Sequence, residues 1–164
     1  MSLVVGRMAP NFTLPTDTGE PLTLKSLRGQ WVVVFCYPQD DTPACTAEAC
    51  AFRDAWADFE ALGAVVLGLS PDSVARHQRF KAKHALPYTL LADEDHRVLE
   101  KWGVWAPKKL YGREYMGVVR TTVIIDPAGR VAKVFDKVKV AGHIEAVAAE
   151  LRQRIRRRRP AAIA

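Results

Sequence analysis

No stretch of the chain approaches the ~20 consecutive apolar residues that a membrane-spanning helix needs. The first residues, MSLVVGRMAPNF, lack a basic start followed by a long apolar run, so no secretory signal is expected and the cytoplasm is the default location. Cysteine is scarce: Cys36, Cys45 and Cys50 are the three in 164 residues. That number argues against a structural disulfide framework and fits transient redox chemistry or inert thiols in a reducing compartment. There is no C-x-x-C, and His77, His84, His96 and His143 are scattered with no partner at ligand spacing. A metal site is therefore not expected. Acid is missing from residues 152–159, which hold six arginines. The chain has 24 basic and 18 acidic residues, so outside those six arginines the charges balance. The net +6 belongs to a tail, 152–164, on an otherwise neutral body. Such a run is ordinarily a solvated helix end, with cations suited to the C-terminal end of the dipole; polyanion binding is the alternative.

What is present is an ordinary apolar complement, 49% of residues, and a length that suits one domain, 1–164, with a real core. Phe12–Leu14 and Leu22–Leu24 alternate around Asp17-Thr18-Gly19 and predict a β-hairpin. Ser26–Gly29 reads as a short helical turn. The β-branched run at 31–36 predicts a buried strand ended by Pro38. A helix from 43 to about 61 follows, with Phe52, Ala55, Trp56 and Phe59 on one face. Further strands are expected at 65–69 and 89–91, and helices from Ser70–Ser73 to about His84 and over 94–101. Residues 103–118 show no clean period and read as a long loop, a feature usually tied to function. A second hairpin, 120–126 with 131–135, turns at Pro127-Ala128-Gly129. A last helix, 141 to about 156, turns Ile144, Val147, Ala148, Leu151 and Ile155 inward. The order of elements is an α/β pattern with a mixed sheet.

The chemistry concentrates between Val32 and Cys50. Thr42 can serve as a helix N-cap and Pro43 suits the first helical position, where no N–H is needed. Cys45 then becomes the third helical residue, beside unpaired N–H groups and the positive end of the dipole, which favour thiolate over thiol. Ligands in such sheets gather beyond the carboxyl ends of parallel strands, where Cys45 lies. Glu48, one helical turn on, shares its face with Cys45. It reads either as an exposed helix residue or as a carboxylate beside the sulfur that needs a cation to neutralise it. Cys36, within the strand, reads as packing.

Pro38-x-x-x-Thr42-x-x-Cys45, with Cys50 five residues later, resembles the active-site motif of the peroxiredoxins. The spacing is similar to the subgroup called bacterioferritin comigratory protein, or peroxiredoxin Q. The resemblance continues at Leu90–Asp95, Gly103-Val104-Trp105 and Arg120–Asp126, and covers nearly the whole chain. It implies a thioredoxin-like fold with an N-terminal hairpin extension. The activity implied is thiol-dependent reduction of hydrogen peroxide and organic hydroperoxides, without metal, haem or flavin. Cys45 would be the peroxidatic thiolate, and Arg120 a fixed cation for sulfur and oxygen. Thr42 would bond the peroxide, Pro38 would shield the sulfur, and Glu48 would orient the arginine. Cys50 is the candidate resolving cysteine; a core thiol is its other reading. Some relatives carry the resolving cysteine in the helix here spanning 73–84, where this chain has none, which leaves Cys50 or another protein's thiol. Thioredoxin or a similar dithiol protein is the implied reductant, and a monomer or weak homodimer the implied state. A thioredoxin-like oxidoreductase without peroxidase activity is the nearest rival, although it would want two residues between its cysteines, and Cys45 and Cys50 have four.

Overall fold

A computed structural model describes residues 2–158. The elements in chain order are β1 (Thr13–Pro15), β2 (Pro21–Thr23), a 3-10 turn (Leu24–Leu27), β3 (Trp31–Cys36), α1 (Pro43–Asp54), α2 (Trp56–Ala61) and β4 (Ala64–Ser70). They continue with α3 (Val74–His84), β5 (Thr89–Ala92), α4 (Arg97–Lys101), β6 (Trp105–Leu110), β7 (Arg113–Val118), β8 (Thr121–Ile125), β9 (Val131–Phe135) and α5 (His143–Arg158). Five strands form the central sheet in the order β5-β4-β3-β8-β9. β3 runs parallel to β4 and antiparallel to β8, so the sheet is mixed, as the element order implies.

β3 is central and every one of its residues is buried. A strand covered on both faces must be apolar throughout, which is why its sequence is a run rather than an alternation. Trp31, Val33 and Phe35 face a core closed by Phe52, Phe59, Phe80 and the inward residues of α5. Val32, Val34 and Cys36 face a second core with Phe12, Leu14, Leu99 and Trp102. Period-two alternation therefore places Cys36 and the helix bearing Cys45 on opposite sides of the sheet. The N-terminal hairpin β1–β2 belongs to that second core.

Four expectations need correction. The helix after β3 does not run unbroken to 61: it ends at Asp54, and α2 restarts at Trp56 after Ala55 (φ −97°, ψ 2°). The apolar spacing continues through this break because Phe52 and Phe59 still point into one core. Residues 103–118 are mostly not a loop. β6 and β7 pair antiparallel in a hairpin of their own, turning at Tyr111 and Gly112, both at positive φ (52° and 77°). Positive φ at both central residues matches the right-handed strand twist. Arg120 lies just before β8 rather than inside it. The helix expected over 94–101 starts at Arg97, after His96 in a left-handed conformation. α5 carries the arginine run as far as Arg158; the part of the tail from Arg159 onward lies outside the described residues. No helix among the described residues is long and apolar enough to cross a membrane.

Candidate active site

β3 ends at Cys36, and the chain runs on through Pro38–Thr42 before entering α1. Pro43 opens the helix and Thr42 holds the N-cap position, with extended backbone angles (φ −97°, ψ 156°). Its hydroxyl does not cap, however. It donates instead to the Gln39 carbonyl oxygen at 3.0 Å, closing the tight turn before the helix. The capping role expected of that side chain is therefore not realised. The hydroxyl oxygen keeps its lone pairs, so it remains able to accept from a peroxide O–H. The first N–H groups of α1 have no side-chain cap.

Cys45 is buried, with 1% of its surface exposed, and all three cysteines are free thiols. Arg120 arrives from the segment between β7 and β8, and its Nη2 donates to Cys45 Sγ at 3.3 Å. Its Nη1 donates to Glu48 Oε1 at 2.7 Å. One guanidinium thus holds a sulfur and a carboxylate together through its planar fork. The exposed reading of Glu48 is excluded: its side chain is fully buried. Burial pushes the Glu48 carboxyl up to about 7, against the pull of the Arg120 charge. Glu48 Oε2 is buried without a hydrogen-bond partner.

That value has a measurable consequence. In the unfolded chain a glutamate titrates near 4.3. Because the folded value is higher, stability from this group is complete below the unfolded value and declines as pH rises through about 7. Glu48→Gln is expected to flatten that decline by roughly 2–3 kcal/mol between pH 5 and 8. Urea titrations of both proteins at those two pH values check it; parallel curves would contradict the assignment.

Pro38 is half-buried at the rim of the same loop. Cys50 is half-buried one and a half turns beyond Cys45, and Tyr88 donates to the neighbouring Ala49 carbonyl at 2.6 Å. Cys50 is not among the residues of either buried core. Cys36 is fully buried, and burial, then the Glu48 and Asp93 charges, push its thiol far above the ordinary range, in keeping with a packing role. Of the residues singled out by sequence, Cys45, Glu48 and Arg120 are in direct contact. Pro38, Thr42 and Cys50 flank them along the chain.

Two features escape sequence reasoning. Lys108 of β6 folds back over Gly117 and donates to the Val118 carbonyl at 2.9 Å. A Cβ at Gly117 would come within 3.0 Å of the Lys108 side chain, so glycine is what lets it pass. Burial, then the Arg120 charge, lower the Lys108 pKa, and Cys45 opposes them; a second cation therefore borders the site. The other feature is a buried cluster of Tyr37, Asp40, Ser70, Asp72 and His77. Donor atoms of Asp40, Asp72 and His77 lie within 4.8 Å of one another, close enough for a metal ion. Those atoms are already matched to hydrogen-bonding groups, so the cluster reads as a polar network. His77 was visible in the sequence, but its hydrogen-bond partner Asp40 is 37 residues away.

A sulfur nucleophile at a helix N-terminus, with a fixed cation against it, is suited to attacking a weak O–O bond, and the sheet that carries it has the thioredoxin-like arrangement. Comparison with known proteins agrees. The AhpC/TSA family model matches residues 5–134. A putative peroxiredoxin bcp of Coxiella burnetii is 52% identical over 151 residues, covering 92% of this chain and 100% of that protein. Peroxiredoxin Bcp of Bacillus subtilis is 46% identical over 144 residues, covering 88% of this chain and 92% of that one. A Xanthomonas campestris bacterioferritin comigratory protein, solved in a study of its alkyl peroxide reduction, superposes with a TM-score of 0.84 at 36% identity, over 88% of this chain and 92% of that one. The chain belongs to the AhpC/TSA family, on its peroxiredoxin Q branch, and is a thiol-dependent peroxidase.

Proposed function

We propose that Cys45 is the peroxidatic residue and Cys50 the resolving one, in a single domain spanning 1–164. The observation that carries this is the Arg120 fork, whose 3.3 Å contact fixes Cys45 Sγ at the start of α1. The thiolate attacks the nearer peroxide oxygen, the O–O bond breaks, and water or an alcohol leaves after taking a proton. Arg120 stabilises the charge developing on the departing oxygen. Thr42 receives the peroxide O–H, and Pro38 limits water at the sulfur. Cys45 becomes a sulfenic acid. The Cys50 sulfur then attacks it, forming a disulfide and releasing water. Thioredoxin or a similar dithiol protein supplies two electrons and two protons to restore both thiols. Hydrogen peroxide and organic hydroperoxides are the substrates. No metal, haem or flavin takes part, and the protein works in the cytoplasm as a monomer or weak homodimer. A peroxide-consumption assay with thioredoxin, thioredoxin reductase and NADPH tests this scheme: NADPH oxidation that depends on peroxide and on this protein supports it, and none would refute the reductant.

The geometry demands a conformational step. Cys45 and Cys50 both lie in α1. Five residues of helix separate their Cα atoms by roughly 8.7 Å, beyond the ~7 Å limit for a disulfide without backbone movement. We expect the first turns of α1 to unwind after peroxide attack. Amide exchange over 43–52 should rise on oxidation, with intact mass falling by about 2 Da for one new disulfide. Equal protection in both states, with a Cys45–Cys50 bond mapped by digestion, would overturn the unwinding.

A further inference from the structure

The Pro38–Thr42 segment carries two residues of the site, yet it has no secondary structure of its own. Asp40, at its centre, holds it down. The Tyr37 hydroxyl donates to Asp40 Oδ1 at 2.6 Å, and the Asp40 N–H donates to Asp72 Oδ2 at 2.8 Å. Asp40 Oδ2 lies 2.7 Å from His77 Nδ1 on α3. Asp72 also accepts from the Ser70 hydroxyl at 2.6 Å. Asp40, Asp72, Ser70, Tyr37 and His77 are all buried. The next residue, Asp41, is left-handed at φ 61°, and Lys83 on the same helix binds both its carboxylate oxygens, at 3.0 and 2.9 Å. α3 therefore grips the segment at two consecutive residues.

The other ring nitrogen of His77, Nε2, lies 2.9 Å from the Leu91 carbonyl oxygen of β5. A carbonyl can only accept, so Nε2 carries a proton. Nδ1 faces a carboxylate oxygen, and a second proton lies in that contact. We infer that His77 is a positioning residue of the peroxidatic centre: held as an imidazolium between Asp40 and the Leu91 carbonyl, it keeps the Pro38–Thr42 segment in the conformation that sets Pro38 and Thr42 beside Cys45. This rests on the assignment of Cys45 as the attacking thiol.

The groups facing His77 support the charge. They are Asp40 from the segment after β3, Tyr37 with its ring centroid 6.5 Å away, Asp72 from the turn before α3, and the β5 backbone. On its own helix Arg76 pairs with Asp72 at 3.2 Å and so leaves Asp40 to His77. Burial works against the charged imidazole, but Asp40, the Leu91 carbonyl and Asp72 together raise its pKa. The unfolded imidazole titrates near 6.5. The clamp is thus complete below that value and is lost as pH rises through the higher folded one.

Two measurements test the clamp. In the reduced wild-type protein, long-range nitrogen–proton NMR of His77 at pH 7 should show both ring nitrogens protonated. The peroxide-attack rate should fall as His77 loses its proton at higher pH. His77→Gln should lower that rate by about tenfold to a hundredfold, remove the alkaline fall from its pH profile, and raise amide exchange over 38–42. A neutral ring at pH 7, or a folded His77→Gln protein with the wild-type rate and profile, overturns the inference. Should the variant not fold, the wild-type ring state and its coupling to the wild-type rate decide the matter. If the wild-type thiol at Cys45 is never oxidised, the reading of Cys45 fails instead, and trapped sulfenic acid reports that separately.

Discussion

Replacement of Cys45 by serine should abolish peroxide turnover, while Cys36→Ser should leave most of it intact. A serine hydroxyl at that position is not ionised at neutral pH and lacks sulfur's reactivity toward an O–O bond, so neither the helix N-terminus nor Arg120 has a nucleophile to activate. Serine is close to isosteric, and the buried site offers it the same Arg120 donor, so the fold should persist. Cys36 is the internal control. It is fully buried on the opposite face of the sheet, and burial pushes its thiol far above the ordinary range. Stopped-flow peroxide consumption by the two variants is the check. A Cys45→Ser protein that retained the wild-type rate would remove the cysteine from the mechanism altogether.

The Arg120→Met variant is expected to react with peroxide about 10²- to 10³-fold more slowly. In the proposed mechanism Arg120 stabilises the charge that develops as the O–O bond breaks, so its loss raises the barrier. Methionine keeps the length and part of the apolar stem but has no donor. Glu48 would be left buried without its cation. Its carboxyl is already pushed up to about 7, so it can take a proton and spare the fold the full cost of an unpaired charge. Arg120→Lys should fall between the two proteins, since an ammonium keeps the charge but not the fork that spans Cys45 and Glu48. The second-order rate and the alkylation rate of Cys45 at neutral pH measure these effects. Unchanged values for Arg120→Met would show that the contact at 3.3 Å has no chemical role.

Much of this centre is written locally. The run at 31–36, the helix start at Thr42-Pro43 and the cysteine two residues on lie within fifteen positions, and short-range rules suffice to place them. Arg120 and Glu48 are 72 residues apart, and nothing local says they touch. Only the resemblance suggested the pairing, which the antiparallel register of β8 on β3 brings about. Other features were hidden for identifiable reasons. The β6–β7 hairpin is largely exposed on both faces, so no alternation marks it, and Pro107 within β6 disguises it further. Its turn places a tyrosine, Tyr111, at positive φ where asparagine or aspartate is the usual signal. The break at Ala55 is silent because both helices serve one core. Thr42 has the right residue type for a cap but spends its hydroxyl on Gln39, a choice between two local hydrogen bonds that residue identity does not settle. The Asp40–His77 contact requires the fold itself, since it joins a segment after β3 to α3, with α1, α2 and β4 between them in the chain.

The most direct test of the account locates the oxidised sulfur. Reduced Cys50→Ser protein is treated with one equivalent of hydrogen peroxide in the presence of a reagent specific for sulfenic acid, then digested and mapped by mass spectrometry. The account predicts an adduct on the Cys45 peptide alone, with Cys36 recovered as free thiol. An adduct on Cys36, or peroxide consumed with Cys45 left unmodified, would contradict it.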